Sequence, residues 1–103
     1  KELVNYSTNN YKIIGTNINF LLNKEIFEYP NYIKIDIDGL EDLVLNSADK
    51  ALNYSELKSI LIETDLSNTS TYNNVNQILN QFGFKLLSKH LCTNNIYNLI
   101  YGK

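Results

Sequence analysis

Tyr32-Ile33-Lys34-Ile35-Asp36-Ile37-Asp38-Gly39-Leu40-Glu41 changes its period in the middle. Up to Asp38, isoleucines alternate with polar or charged residues, the two-residue period of a β-strand. Gly39 closes the run, and a helix is expected at once, with Leu40, Leu43, Val44, Ala48 and Leu52 along one face. A strand that turns directly into a helix opens an α/β unit. Downstream, Ser59 to Thr64 has a continuous apolar centre of strand length, as expected for a strand buried on both faces. A Ser/Thr/Asn loop then leads to a helix in which Val75, Ile78, Leu79 and Phe82 fall at i, i+3, i+4 and i+7, with Gly83 as its C′ residue. Phe84 to His90 and Ile96 to Tyr101 are expected to form a hairpin around Thr93-Asn94-Asn95.

Upstream of the quoted stretch the signals are weaker. Residues 1–10 are polar and without period. Ile13 and Ile14 suggest a short strand ended by Gly15, and Thr16 is a candidate N-cap for a helix carrying Ile18, Leu21, Leu22 and Glu25-Ile26 before Pro30. The order strand, helix, strand, helix, antiparallel pair implies parallel pairing through right-handed crossovers. The expected architecture is half of a doubly wound sheet with helices on both faces. That arrangement leaves Ile33 to Ile37 on an edge, and a long apolar edge is usually covered or paired. Either an upstream half of the same protein or a second copy is expected beside it.

Composition removes several classes. The chain has 103 residues, 44% hydrophobic and 19% charged, which fits one globular domain or part of one. All nine basic residues are lysines and the net charge is -2, so the arginine forks typical of nucleic-acid recognition are missing. Cys92 and His90 are the sole residues of their types, which argues against a disulfide framework and against a metal site built from several Cys or His ligands. No apolar run approaches ~18 residues and no leader pattern opens the chain, so a soluble, cytoplasmic setting without a membrane partner is expected. The 17 asparagines and 12 isoleucines reflect codon bias more than function. The first residue is Lys1, so a processed chain or a piece of a longer one is expected, a single partial domain over 1–103. The four glycines are too scattered for a phosphate-binding loop.

The candidate chemistry lies at the strand ends. In open α/β sheets ligands sit beyond the carboxyl ends of the strands. Asp36, Asp38 and Glu41 gather there, and carboxylates so close repel unless a donor, cation or proton is shared among them. Asp38 and Glu41 also fit an Asp-x-x-Glu capping box, Asp38 as N-cap and Glu41 reaching back to its backbone N–H. Asp36 has no such structural role. Glu63, at the end of the next strand, opens onto the same rim if the two strands are adjacent, either as a second rim carboxylate or as a solvated strand end. Lys34 either pairs with a carboxylate or faces solvent, and His90 and Cys92 belong to the hairpin, away from the rim.

These residues together resemble FkbM-type methyltransferases, whose hallmark runs roughly Ile-Lys-Ile-Asp-Val-Glu-Gly-x-Glu followed by Val-Leu and a small residue. Ile33 to Glu41 with Val44-Leu45 and Ala48 is similar to it; so are Ile60-Leu61-Ile62-Glu63 to the next strand and Phe82-Gly83-Phe84 to the lead-in of the last hairpin. Thr16 to Leu22 resembles the family's Thr-Leu-Asp-x-Leu helix, with Asn19 where Asp is usual. The match covers most of residues 13–101. The resemblance implies a Rossmann-like class I fold that uses S-adenosyl-L-methionine to methylate a hydroxyl of a sugar, glycan or polyketide-type product. It gives Asp36 the role of orienting or deprotonating that hydroxyl and a weak, shared share of the cofactor rim, with Asp38 and Glu63 as catalytic neighbours and Gly39 and Glu41 as motif residues. No metal is implied. The family's cofactor-binding strands would precede Lys1, so this chain would be the C-terminal, acceptor-side half. The alternative is a non-catalytic interaction domain that self-associates, as a homodimer, through the open edge.

Overall fold

A computed structural model of the chain describes the backbone of residues 4–8, 11–15, 18–37 and 39–103, and the side chains of 18–37 and 39–103. Two strands, β1 (Val4–Thr8) and β2 (Tyr11–Gly15), pair antiparallel as a two-stranded sheet of their own. Then come α1 (Ile18–Asn23), β3 (Tyr32–Ile35), α2 (Glu41–Asn46), α3 (Asp49–Leu52), β4 (Ser59–Asp65), α4 (Thr69–Gln81), β5 (Lys85–Thr93) and β6 (Ile96–Gly102). The last four strands form one mixed sheet in the order β3-β4-β6-β5. β3 and β4 are parallel, and β6 runs antiparallel to both β4 and β5. The chain is therefore α/β with a terminal antiparallel hairpin, and β3 is an edge strand as expected.

The strand expected at Ile13-Ile14 exists, but it pairs with β1, in a segment whose polar sequence shows no strand period. The expected N-cap Thr16 lies outside the described residues. α1 stops at Asn23 instead of running to Ile26. Glu25 takes a left-handed φ of 56°, and Ile26 is exposed beyond it.

A second correction concerns the sheet's faces. Along β4, Ile60, Ile62 and Thr64 are buried while Ser59, Leu61 and Glu63 are only partly so. Register carries the buried face across the sheet: Ile62 lies between Ile35 and Leu99, and Ile60 has Tyr101 beside it. Leu45 of α2, Leu52 of α3, and Val75 and Leu79 of α4 complete one core with these residues, joined by Leu57 and Phe84. Leu61, Ile96 and Ile100, on the other face, take no part in that core. The helices cover one face, not both. Three consecutive apolar residues, Ile60 to Ile62, suggest burial on both faces because Leu61 interrupts what is otherwise a strict alternation.

The helix after Gly39 is also broken and rotated. Ser47 ends α2 and donates its Oγ–H back to the Val44 carbonyl at 3.2 Å; Ala48 then starts α3. The buried stripe is Glu41, Leu45 and Ala48, at i, i+4 and i+7. Leu40 precedes the helix and is exposed, and Leu43 is 61% exposed on its outer side. β3 likewise ends at Ile35, not Asp38, and Ile37 is 39% exposed. α4 behaves as expected: Asn68 accepts from the Thr71 N–H at 3.2 Å, and Gly83, at φ 86°, follows the C-cap Phe82 in the left-handed region that glycine tolerates.

Leu45→Ala should cost about 2–5 kcal/mol in urea unfolding, through lost burial and a residual cavity. Leu43→Ala should stay within about 0.5 kcal/mol. Equal costs would show that the buried stripe has been assigned to the wrong side of α2.

Candidate functional site

The carboxyl ends of the parallel pair β3 and β4 open onto a cavity of about 330 Å³ lined by Gly39, Glu41, Glu63, Thr64, Asp65, Asn68 and Ile96. Its inner wall is set by Glu41. This carboxylate is only 1% exposed. Its Oε2 accepts from the Gly39 N–H and its Oε1 from the buried Thr64 hydroxyl, both at 3.0 Å. A buried carboxylate is costly unless its lone pairs are occupied, and here donors from two different elements occupy them. The same two bonds fix the rotation of α2, which explains why Leu43 faces outward.

The capping box is thus realised in altered form. Glu41 does reach back, to the Gly39 N–H, and Leu40 stands at the N-cap without a side-chain cap. Asp38 lies outside the described residues. Gly39 has φ 76° and no neighbour near the position a Cβ would take, so the turn needs glycine for its backbone angle, not for space.

Glu63 is half-buried and lines the cavity, together with Gly39 and Glu41. Asp36 does not line it. Ile35 and Ile62 are paired, so the next residues, Asp36 and Glu63, sit at the same level of the rim, one strand spacing of ~4.8 Å apart in the sheet direction. Asp36 is exposed there and has no hydrogen-bond or ion-pair partner among the described residues. Lys34 faces solvent, as one of its two expected options, and His90 and Cys92 are exposed on the hairpin.

Sequence reasoning missed Thr64, Asp65, Asn68 and Ile96. The sequence ends the strand at Thr64, whereas β4 continues through Asp65 and pairs it with Ile96. The Asp-x-Ser spacing of Asp65 and Ser67 was the available signal. The Ser67 hydroxyl donates to Asp65 Oδ1 at 2.6 Å and its backbone N–H to the same oxygen at 2.9 Å, an Asx-type turn. These two bonds, the hydroxyl's first, hold the Asp65 carboxyl below the ordinary aspartate value against a small opposing effect of desolvation. Asn98 was missed too. It sits on the face away from the helices, between Glu63 of β4 and His90 of β5, with its Oδ1 buried and unpartnered among the described residues.

Chemically, the cavity presents carboxylate and amide oxygens, which accept from hydroxyl groups and favour positive charge. Among the described residues, no three His, Cys, Asp or Glu side chains are grouped so as to hold a metal ion. Nor is any helix there long and apolar enough to cross a membrane.

Glu41→Ala would leave the buried Thr64 hydroxyl and the partly buried Gly39 N–H unpaired and should cost about 2–4 kcal/mol in urea unfolding. Glu41→Gln, which keeps one acceptor oxygen, should cost less; a cost no larger than that of exposed Glu56→Ala would sink the bridging account. Asp65 supplies a pH test. A depressed carboxyl pKa stabilises the fold above the unfolded-state value, and that contribution is lost as pH falls through the folded-state value. Ser67→Ala should therefore raise the Asp65 pKa in a carboxyl-carbon NMR titration, and an unmoved value would show that Ser67 is not its cause.

No protein-family model, no curated protein and no solved structure matches this chain.

Proposed function

We propose that this chain is the acceptor-side half of an S-adenosyl-L-methionine-dependent methyltransferase of FkbM type, acting in the cytoplasm on a hydroxyl of a sugar, glycan or polyketide-type molecule. One observation carries the reading. The residues of the resemblance, Gly39, Glu41 and Glu63, come together around a single cavity at the carboxyl ends of two parallel strands, where ligands of open α/β sheets bind. The partial sheet, with a parallel pair followed by an antiparallel hairpin, is what the C-terminal half of a Rossmann-like class I domain requires. Its open β3 edge is where an upstream strand would add.

The described residues fit the acceptor better than the cofactor. Glu63, Asp65 and Asn68 offer hydrogen-bond acceptors to a polyol, and the negative charge of the two carboxylates suits a cationic sulfonium nearby. No glycine-rich turn or apolar slot for a nucleoside accompanies them, so the main holder of the cofactor belongs to an upstream half. When bound, the cofactor supplies an electrophilic methyl group. In this reading Glu63 accepts the proton of an acceptor hydroxyl entering the cavity, and Asp36 orients the acceptor from the outer rim. Asp38 keeps the neighbouring role that the resemblance gives it. Glu41, with both oxygens already engaged, holds the cavity wall and is a positioning residue.

Calorimetric titration of S-adenosylhomocysteine should show binding to a longer chain that supplies the upstream strands and little or none to these 103 residues alone. In that longer chain Glu63→Gln should lower kcat roughly 100-fold or more, as loss of a general base does. Asp36→Asn should act mainly on the acceptor KM. Binding by neither chain would favour the alternative, an interaction domain that works through its open edge.

A further inference from the structure

The two edges of the four-stranded sheet are built differently. β5 carries register shifts between Leu86 and Ser88 and between Leu91 and Thr93, with Lys85 and Lys89 along it. Bulges and lysines are devices that keep an edge from pairing with another chain. β3 has no register shift against β4, and its one basic residue, Lys34, is followed two positions later by a charge of opposite sign. Tyr32 is 71% exposed on this edge, and Lys34 and Asp36 are exposed without a partner among the described residues.

Ile33-Lys34-Ile35-Asp36-Ile37 reads the same in both directions apart from its charges, which are complementary about Ile35. We infer that the chain pairs with a second copy of itself along β3, antiparallel about a twofold axis at Ile35, so that Lys34 of each copy lies opposite Asp36 of the other. Because the side-chain period in a strand is two, this register puts Lys34 and Asp36 of both copies on one face. Ile33, Ile35 and Ile37 share the other face, where Ile35 already belongs to the core. Ile37, exposed in the single chain, is then covered by Ile33 of the second copy. The interface is isologous and closes on itself, giving an eight-stranded sheet whose two outer edges are the bulged β5 strands. It requires β3 to extend by two residues, through Asp36 and Ile37. A shift of two residues in the pairing, placing Lys34 against Lys34 or Asp36 against Asp36, brings like charges together and is disfavoured.

The inference concerns the 103-residue chain by itself and competes with the methyltransferase reading for the β3 edge. An upstream strand on the same edge would exclude the second copy, so association is measured on the 103-residue chain and cofactor binding on a longer one. Sedimentation equilibrium should show a dimer for this chain, weakened by salt. Lys34→Asp and Asp36→Lys should each weaken association roughly tenfold or more, since each turns both cross-strand pairs into repulsive ones. Mixed in equal amounts, the two variants form only attractive pairs with each other and should associate as the unaltered chain does. Concentration-dependent protection of the amides from Ile33 to Ile37 in hydrogen exchange reads the same interface without any substitution. A monomeric unaltered chain, or a mixture no more associated than its components, overturns the inference.

Discussion

The bridge from Glu41 to the Gly39 N–H and the Thr64 hydroxyl is the constraint on which the rest of the site depends. It is made by a buried carboxylate, so neither partner can be withdrawn without stranding charge or a polar group in the core. One bond closes the turn after β3 and the other ties the first turn of α2 to the end of β4. Two elements far apart in sequence are thereby held at one level, and the cavity forms between them. The phase of α2 follows from the same bonds. With Glu41 pointing at β4, Leu45 must enter the core and Leu43 must leave it, whatever a count of apolar residues suggests.

The helices draw on one sheet face only, and β4 shows why that suffices. Its buried residues Ile60, Ile62 and Thr64 lie between those of β3 and β6, so a single layer of α2, α3 and α4 closes the core. Side-chain hydrogen bonds between helices then set the spacing of that layer. Asn74 donates to Asp42 at 2.9 Å between α4 and α2. Asn19 of α1 accepts from the Lys50 N–H at 3.2 Å while its amide donates to Asp49. Tyr101 donates its hydroxyl to Asn76, and burial, with Tyr72 as a lesser influence, pushes its phenol pKa up, so it remains a neutral donor.

What was legible in the sequence was local. The alternation at Tyr32 to Ile35, the i, i+3, i+4, i+7 stripe of α4, the glycine at its end and the final hairpin each depend on neighbours a few residues away. Three readings failed for a common reason. The position of Leu43, the restriction of the helices to one sheet face and the membership of Asp65 in β4 are all decided by partners outside their own segment: Thr64 for α2, the helix layer for β4, and Ile96 for Asp65. The site was half legible. Gly39, Glu41 and Glu63 could be named because residue type and strand ends mark them. Thr64 could not, since a threonine in an apolar strand announces no partner until Glu41 is placed against it.

Asn19 shows how an asparagine can suit a place that an aspartate would not. Asp49 lies against it, and two carboxylates at that distance would repel. An asparagine presents both a donor and an acceptor, and this one uses both: the donor meets the Asp49 carboxylate and the acceptor meets the backbone N–H of Lys50 at the start of α3. Aspartate could accept from Lys50 but could not donate to Asp49. Asn19 therefore belongs with Asp49 as a pair, and the pair concerns the packing of α1 on α3, not the residues that line the cavity.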